Sequence, residues 1–164
     1  TIRPHGVARN APAIFYILGG VFTIGSPRTH AALAGRIAAG IGARAYLPRY
    51  RLAPEHPYPA APNDILAAYR EFLSNNGPPL AIAGDSAGGC LALILAQSIR
   101  DVGLPAPRAM ALIAPIADLS RDLERAFAEA NDEMLIPSEW AKRIDQVYLA
   151  GTDPGDPGVS PLIR

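Results

Sequence analysis

Four short apolar runs punctuate the chain: AIFYIL (13–18), ARAYLP (43–48), LAIAGD (80–85) and AMALIAP (109–115). They show little alternation between apolar and polar positions, so each is expected to form a strand covered on both faces. Between them the apolar spacing changes to that of a helix. Residues 28–41 set Leu33, Ile37 and Ile41 four apart, and residues 61–74 place Ile65, Tyr69 and Phe72 on one stripe. The segment AGGCLALILAQSIR follows Ser86 directly. Repeated strand and helix predict an α/β fold, a mostly parallel sheet with right-handed crossovers and helices on both faces. Beyond Ser120 the pattern loosens. RDLERAFAEANDEMLIPSEWAKRIDQVYLA reads as one or two helices, with Pro137 and Ser138 marking a new start and Trp140, Ile144, Val147 and Tyr148 forming an apolar face. GTDPGDPGVSPLIR then reads as a turn-rich loop.

Composition narrows the picture. A chain of 164 residues supports one domain with a real core. Its 17 prolines, about twice the usual share of roughly 5%, cluster between the predicted elements. Lys plus Arg, 15, equals Asp plus Glu, 15, and no basic block occurs, which argues against nucleic acid or anionic lipid as a partner and for a small uncharged one. The single Cys90 cannot form an internal disulfide. No stretch reaches the roughly 18 apolar residues of a membrane span.

Candidate chemistry centres on Gly84-Asp85-Ser86-Ala87-Gly88, which has the G-x-S-x-G spacing of a nucleophile elbow. An apolar strand ends at its first glycine and a helix begins just after the serine. A turn this sharp strains the serine backbone and leaves no room for bulky residues at 84 and 88. Helix N-terminal amides then point at the oxygen that becomes charged. In FYILGGVFTIGS (15–26) a strand ends at Gly19 and Gly20, whose backbone N–H groups could approach a substrate carbonyl.

With RYRLAPEHPYPAAPND (49–64), LIAPIADLS (112–120) and VYLAGTDPGDPGVSPL (147–162), these stretches occur in an order and spacing that resemble the hormone-sensitive lipase family of α/β-hydrolases, the bacterial HGGG-type carboxylesterases. The resemblance implies an α/β-hydrolase fold in which residues 1–164 form part of a single catalytic domain and 121–140 contribute to a cap. It implies a serine carboxylesterase for short acyl esters, with Ser86 as nucleophile and an oxyanion hole drawn from Gly19, Gly20, Val21 and Ala87. Phe22, Asp85, Met134, Leu135 and Trp140 become candidates for lining the acyl pocket. No cofactor or metal is implied. Cytoplasmic location and a homodimer are family expectations.

The chain departs from that pattern in two places. Where the family reads His-Gly-Gly-Gly, this chain reads Leu18-Gly19-Gly20-Val21, and a β-branched residue is a poor occupant of any positive φ. The family's chain order is serine, acid, histidine, yet His5, His30 and His56 all precede Ser86. His56 is expected to hydrogen-bond structurally, and His5 and His30 to be surface or packing residues. Asp118 is expected to cap the next helix, and Asp153 and Asp156 to serve their own turns rather than calcium. The acid and histidine are therefore expected from a segment or second chain outside these residues, and without that cover AMALIAP would be an exposed apolar edge. The alternatives are a catalytically inactive hydrolase relative acting as a binding protein and, third, a plain α/β binding module.

Overall fold

The computed structural model describes residues 1–122, 125 and 143–163. Four strands, β1 (Ala13–Ile17), β2 (Arg44–Tyr46), β3 (Ala81–Asp85) and β4 (Ala109–Ile113), form one parallel sheet in the order β2-β1-β3-β4. The crossovers are α1 (Ala31–Gly40), α2 (Ala60–Asn76) and α3 (Ala87–Val102). A π-helical segment, Ile144–Leu149, follows later. No described helix is long and apolar enough to cross a membrane.

Both faces of β1 are buried, which is why its sequence is apolar without alternation. Phe15 and Ile17 face a core shared with α2 and α3, and Ile14 and Tyr16 face a smaller core under α1. On the larger side Phe15 stacks on Tyr46 and meets Tyr69 and Phe72 edge-on, all at centroid distances of 5.4–5.6 Å. Ile65, Tyr69 and Phe72 are the buried stripe of α2, as their spacing predicts. In α3 apolar residues are buried nearly all round, because the helix packs against the sheet and α2 and is covered by the segment that includes Tyr148 and Val159.

Two expectations are corrected by the packing. The buried face of α1 is Ala34 and Ala38, whereas Leu33 and Ile41 are exposed and Ile37 is half-buried. Small alanines let the helix approach the sheet closely, so the larger residues were the wrong guide. Likewise β4 is not covered on both faces: Met110 and Ile113 are exposed on the sheet's edge in this structure, the open edge expected of AMALIAP without further cover. A cavity of about 570 Å³ lined by Ile99, Leu104 and Met110 lies between α3 and this strand. The turns after the π-helical segment are fixed onto the loop that leaves β4. There the buried Ser160 hydroxyl accepts from Leu119 N–H at 2.7 Å and donates to Pro154 O at 2.6 Å.

Candidate active site

The register pairs Ile17 of β1 with Gly84 of β3, so the carboxyl ends of both strands stop side by side. Ligands of open parallel sheets bind beyond such ends. At the end of β3 the chain turns through Ser86, with φ 51° and ψ −122°, and enters α3 at once. That is a sparsely populated conformation for a residue with a side chain, and it persists only where neighbours enforce it. Here they do. Ser86 N–H donates to Ile113 O at 2.9 Å, and Ser86 O accepts from Gly89, Cys90 and Ile116 N–H at 3.0, 3.2 and 3.3 Å.

The small residues around the corner have a direct steric cause. A Cβ at Gly84 would stand 2.5 Å from Gly88 O, and one at Gly89 would stand 2.8 Å from Pro115 Cβ. A Cβ at Gly88 would collide with Ile17 O and Leu18 O. The end of β1 is thus pressed against the first turn of α3. Ser86 is partly exposed, and its hydroxyl has no hydrogen-bond partner among the described residues.

Beyond β1 three successive residues, Gly20, Val21 and Phe22, take φ of 127°, 44° and 62°. The loop closes on itself through Thr23 and Ile24 N–H, which both donate to Gly20 O. Gly19 N–H is committed elsewhere: it donates to Asp85 Oδ1 at 3.1 Å. Among the described residues, the N–H groups of Gly20, Val21 and Ala87 have no acceptor. Ala87 opens α3, where the first amides are unpaired by construction.

Phe22 is fully buried, stacked on Tyr148 at 3.8 Å with nearly parallel rings, so the expectation that it lines an open acyl pocket is corrected. Phe22 O accepts from Ala53 N–H at 3.0 Å, and Tyr50 Oη donates to Leu18 O at 2.8 Å. Leu18 itself is buried. Asp85 directs its carboxylate at β1, where Tyr16 Oη donates to Oδ1 at 2.9 Å. Burial, reinforced by the Asp85 carboxylate, pushes both the Tyr16 and the Tyr50 phenols well above the ordinary tyrosine range. Met134, Leu135 and Trp140, with most of the 121–140 segment, lie outside the described residues.

His30 is not a surface or packing residue. It precedes α1 with Nε2 3.5 Å from Asp85 Oδ2 and Nδ1 2.9 Å from Thr29 Oγ1, a pairing that no local pattern announces. The other two histidines are exposed. His56, expected to hydrogen-bond structurally, donates its backbone N–H to Leu52 O at 2.9 Å. Among the described residues, no imidazole bonds the Ser86 hydroxyl. Asp118 forms a tight turn with Ser120, accepting from both its N–H and its hydroxyl, and it is Asp122 that accepts from a backbone N–H three residues on. Asp153 and Asp156 accept from Gly155 and Gly158 N–H two residues ahead of each, as turn carboxylates do. Burial pushes the Cys90 thiol up to about 12, which leaves it inert.

A sequence profile of the alpha/beta hydrolase fold matches residues 14–164. An acetyl-hydrolase of Streptomyces hygroscopicus is 38% identical over 162 residues, covering 98% of this chain and 54% of its own. Among solved structures, EstE5 soaked with ethyl alcohol superposes with a TM-score of 0.87 at 42% identity, over 99% of this chain and 55% of that one. An esterase from the bacterial hormone-sensitive lipase family superposes with a TM-score of 0.86 at 36% identity, over 96% and 54%. The chain therefore spans about half the length of the relatives it matches. Matched over residues 14–164, from the first strand of the sheet onward, the chain belongs to the alpha/beta hydrolase fold family.

Proposed function

We propose that the protein carrying these residues is a serine carboxylesterase that cleaves short acyl esters through an acyl-enzyme on Ser86. The observation that supports it most is the Ser86 corner: a strained, partly exposed serine at the end of β3, paired with the end of β1, while the N–H groups of Ala87 and of Gly20 and Val21 in the loop after β1 have no acceptors among the described residues. That combination suits attack on a carbonyl whose oxygen becomes negative. Relatives named acetyl-hydrolase and esterase support ester hydrolysis and a small acyl group.

In this reading the Ser86 oxygen bonds to the ester carbonyl carbon as its proton passes to an imidazole. The tetrahedral oxyanion is held by the free N–H groups. The C–O bond to the alcohol breaks, and the imidazolium returns the proton to the departing oxygen. Water then attacks the acyl-enzyme by the same route and releases the acid and the serine. The imidazole and its carboxylate come from the portion of the relatives' length that this chain does not span. The open β4 edge is where that portion packs.

The test is made on the full-length protein. Ser86→Ala is expected to lower kcat for a chromogenic short acyl ester by at least about 10⁴-fold, and a fluorophosphonate is expected to label Ser86 and no other residue. Hydrolysis unaffected by Ser86→Ala would reject the mechanism. One observation favours a second reading, a silent relative that binds esters without cleaving them: Val21, at φ 44°, occupies a donor position with a backbone that β-branched residues avoid. Tight ester binding with no labelling would select that reading.

A further inference from the structure

We propose that Asp85 is the positioning residue of the loop that follows β1: its carboxylate takes up Gly19 N–H, leaving the N–H groups of Gly20 and Val21 for the substrate oxygen, and His30 holds the carboxylate in that pose. The kinetic part of this inference rests on the esterase reading above. Nothing in the G-x-S-x-G pattern requires an acid at its second position, and the carboxylate is not spent on the serine corner. Instead Oδ1 accepts from Gly19 N–H at 3.1 Å and from Tyr16 Oη at 2.9 Å, and Oδ2 stands 3.5 Å from His30 Nε2. Three groups from three elements thus converge on one carboxylate only 21% exposed.

Each arm is itself held. Tyr16 is fully buried in β1, so its hydroxyl has one place to point. His30 is turned by Thr29, whose hydroxyl donates to Ser26 O at 2.8 Å and meets His30 Nδ1 at 2.9 Å. Gly19 must be glycine for this contact, because a Cβ there would overlap the Asp85 carboxylate and stand 2.7 Å from Asp85 O. The loop's first amide is therefore pinned to the residue that immediately precedes the serine. A shift of the loop relative to the corner would break that bond first. Charge-assisted bonds to a partly buried carboxylate are among the stronger ones available for such a purpose.

The test compares wild type, Asp85→Ala, Asp85→Asn and His30→Ala in the full-length protein on one chromogenic short acyl ester. Loss of the clamp misplaces oxyanion donors, so Asp85→Ala is expected to lower kcat by about 10²-fold with KM within about threefold. Asp85→Asn retains an oxygen acceptor for Gly19 N–H and is expected to recover at least about tenfold of that loss. His30→Ala, which leaves the Gly19 bond in place, is expected to cost the least. A boronic acid mimicking the tetrahedral state is expected to lose affinity in parallel with kcat. An unchanged kcat in Asp85→Ala, or Asp85→Asn no better than Asp85→Ala, would overturn the proposal. Amide hydrogen exchange of the wild type gives a result that depends on no variant and no activity: Gly19 is expected to exchange more slowly than Gly20, and the reverse order overturns the clamp. Should Ser86→Ala hydrolyse the ester at the wild-type rate, the esterase reading fails and the exchange order alone decides the clamp.

Discussion

The corner after β3 and the corner after β1 both force non-glycine residues to positive φ, Ser86 at 51° in the first and Val21 and Phe22 at 44° and 62° in the second. The first is held by the strands and the helix it joins. Glycines at 84, 88 and 89 clear the space, and the Ser86 backbone is bonded to the start of α3 and to the end of β4. The second is held from far along the chain, by Ala53 N–H on Phe22 O, Tyr50 Oη on Leu18 O and the Tyr148 ring on Phe22. The serine corner is therefore held by the sheet and the helix it joins, whereas the loop after β1 depends on the 50–53 loop and the 144–149 segment. Mutations in the 50–53 loop or the 144–149 segment should disturb the loop after β1 before they disturb the Ser86 corner.

Phe22→Ala attacks that dependence most directly. It removes a fully buried ring and its stack, and is expected to cost about 3–5 kcal/mol of stability, read by urea denaturation. A loss under 1 kcal/mol would mean the loop does not need its distant support. Gly88→Ala drives a methyl against Ile17 O and Leu18 O, where both corners touch. It is expected to cost about 2–3 kcal/mol and to lower kcat, since the backbone on one side must move. Val21→Gly separates the two corners. Val21 is also buried in the core, so relief of positive-φ strain, about 1–3 kcal/mol, is outweighed by the lost side-chain burial, about 1.5–3 kcal/mol, together with the entropy of an added glycine, about 0.5–1 kcal/mol; a lower Tm is expected. A higher Tm would show that the backbone strain at Val21 outweighs its packing.

The smallest effect belongs to the Arg51–Asp64 pair, which ties the 50–53 loop to α2 with contacts of 2.8–3.2 Å. The Arg51 guanidinium bonding to Asp64 holds its carboxyl below the usual aspartate range. A depressed carboxyl stabilises the fold above that range and loses its contribution as pH falls through the folded-state value. Asp64→Asn is expected to lower Tm slightly at neutral pH, with the difference from wild type vanishing in acid. A difference that persists unchanged in acid would assign the effect to packing.

The parts of the molecule legible in the sequence are those with local causes. An unalternated apolar run, a small residue on either side of Ser86 and an immediate helix announce the corner because its sterics involve residues four apart. The strands were legible for the same reason. Less legible was what depends on register. That Asp85 meets Gly19 follows from pairing Ile17 with Gly84, and His30 reaches Asp85 only because α1 lies on that face of the sheet. Phe22 reads as a pocket residue until Tyr148, more than a hundred residues away, is seen stacked upon it. The buried face of α1 was missed because Ala34 and Ala38 carry little hydrophobic signal, although close packing prefers them.

The bond from Ser86 N–H to Ile113 O has a bearing on when the serine acquires its shape. During synthesis the corner leaves the ribosome before β4 does, so this one brace forms only when that strand docks. The backbone of the serine is thus fully bonded only once the fourth strand of the sheet is in place.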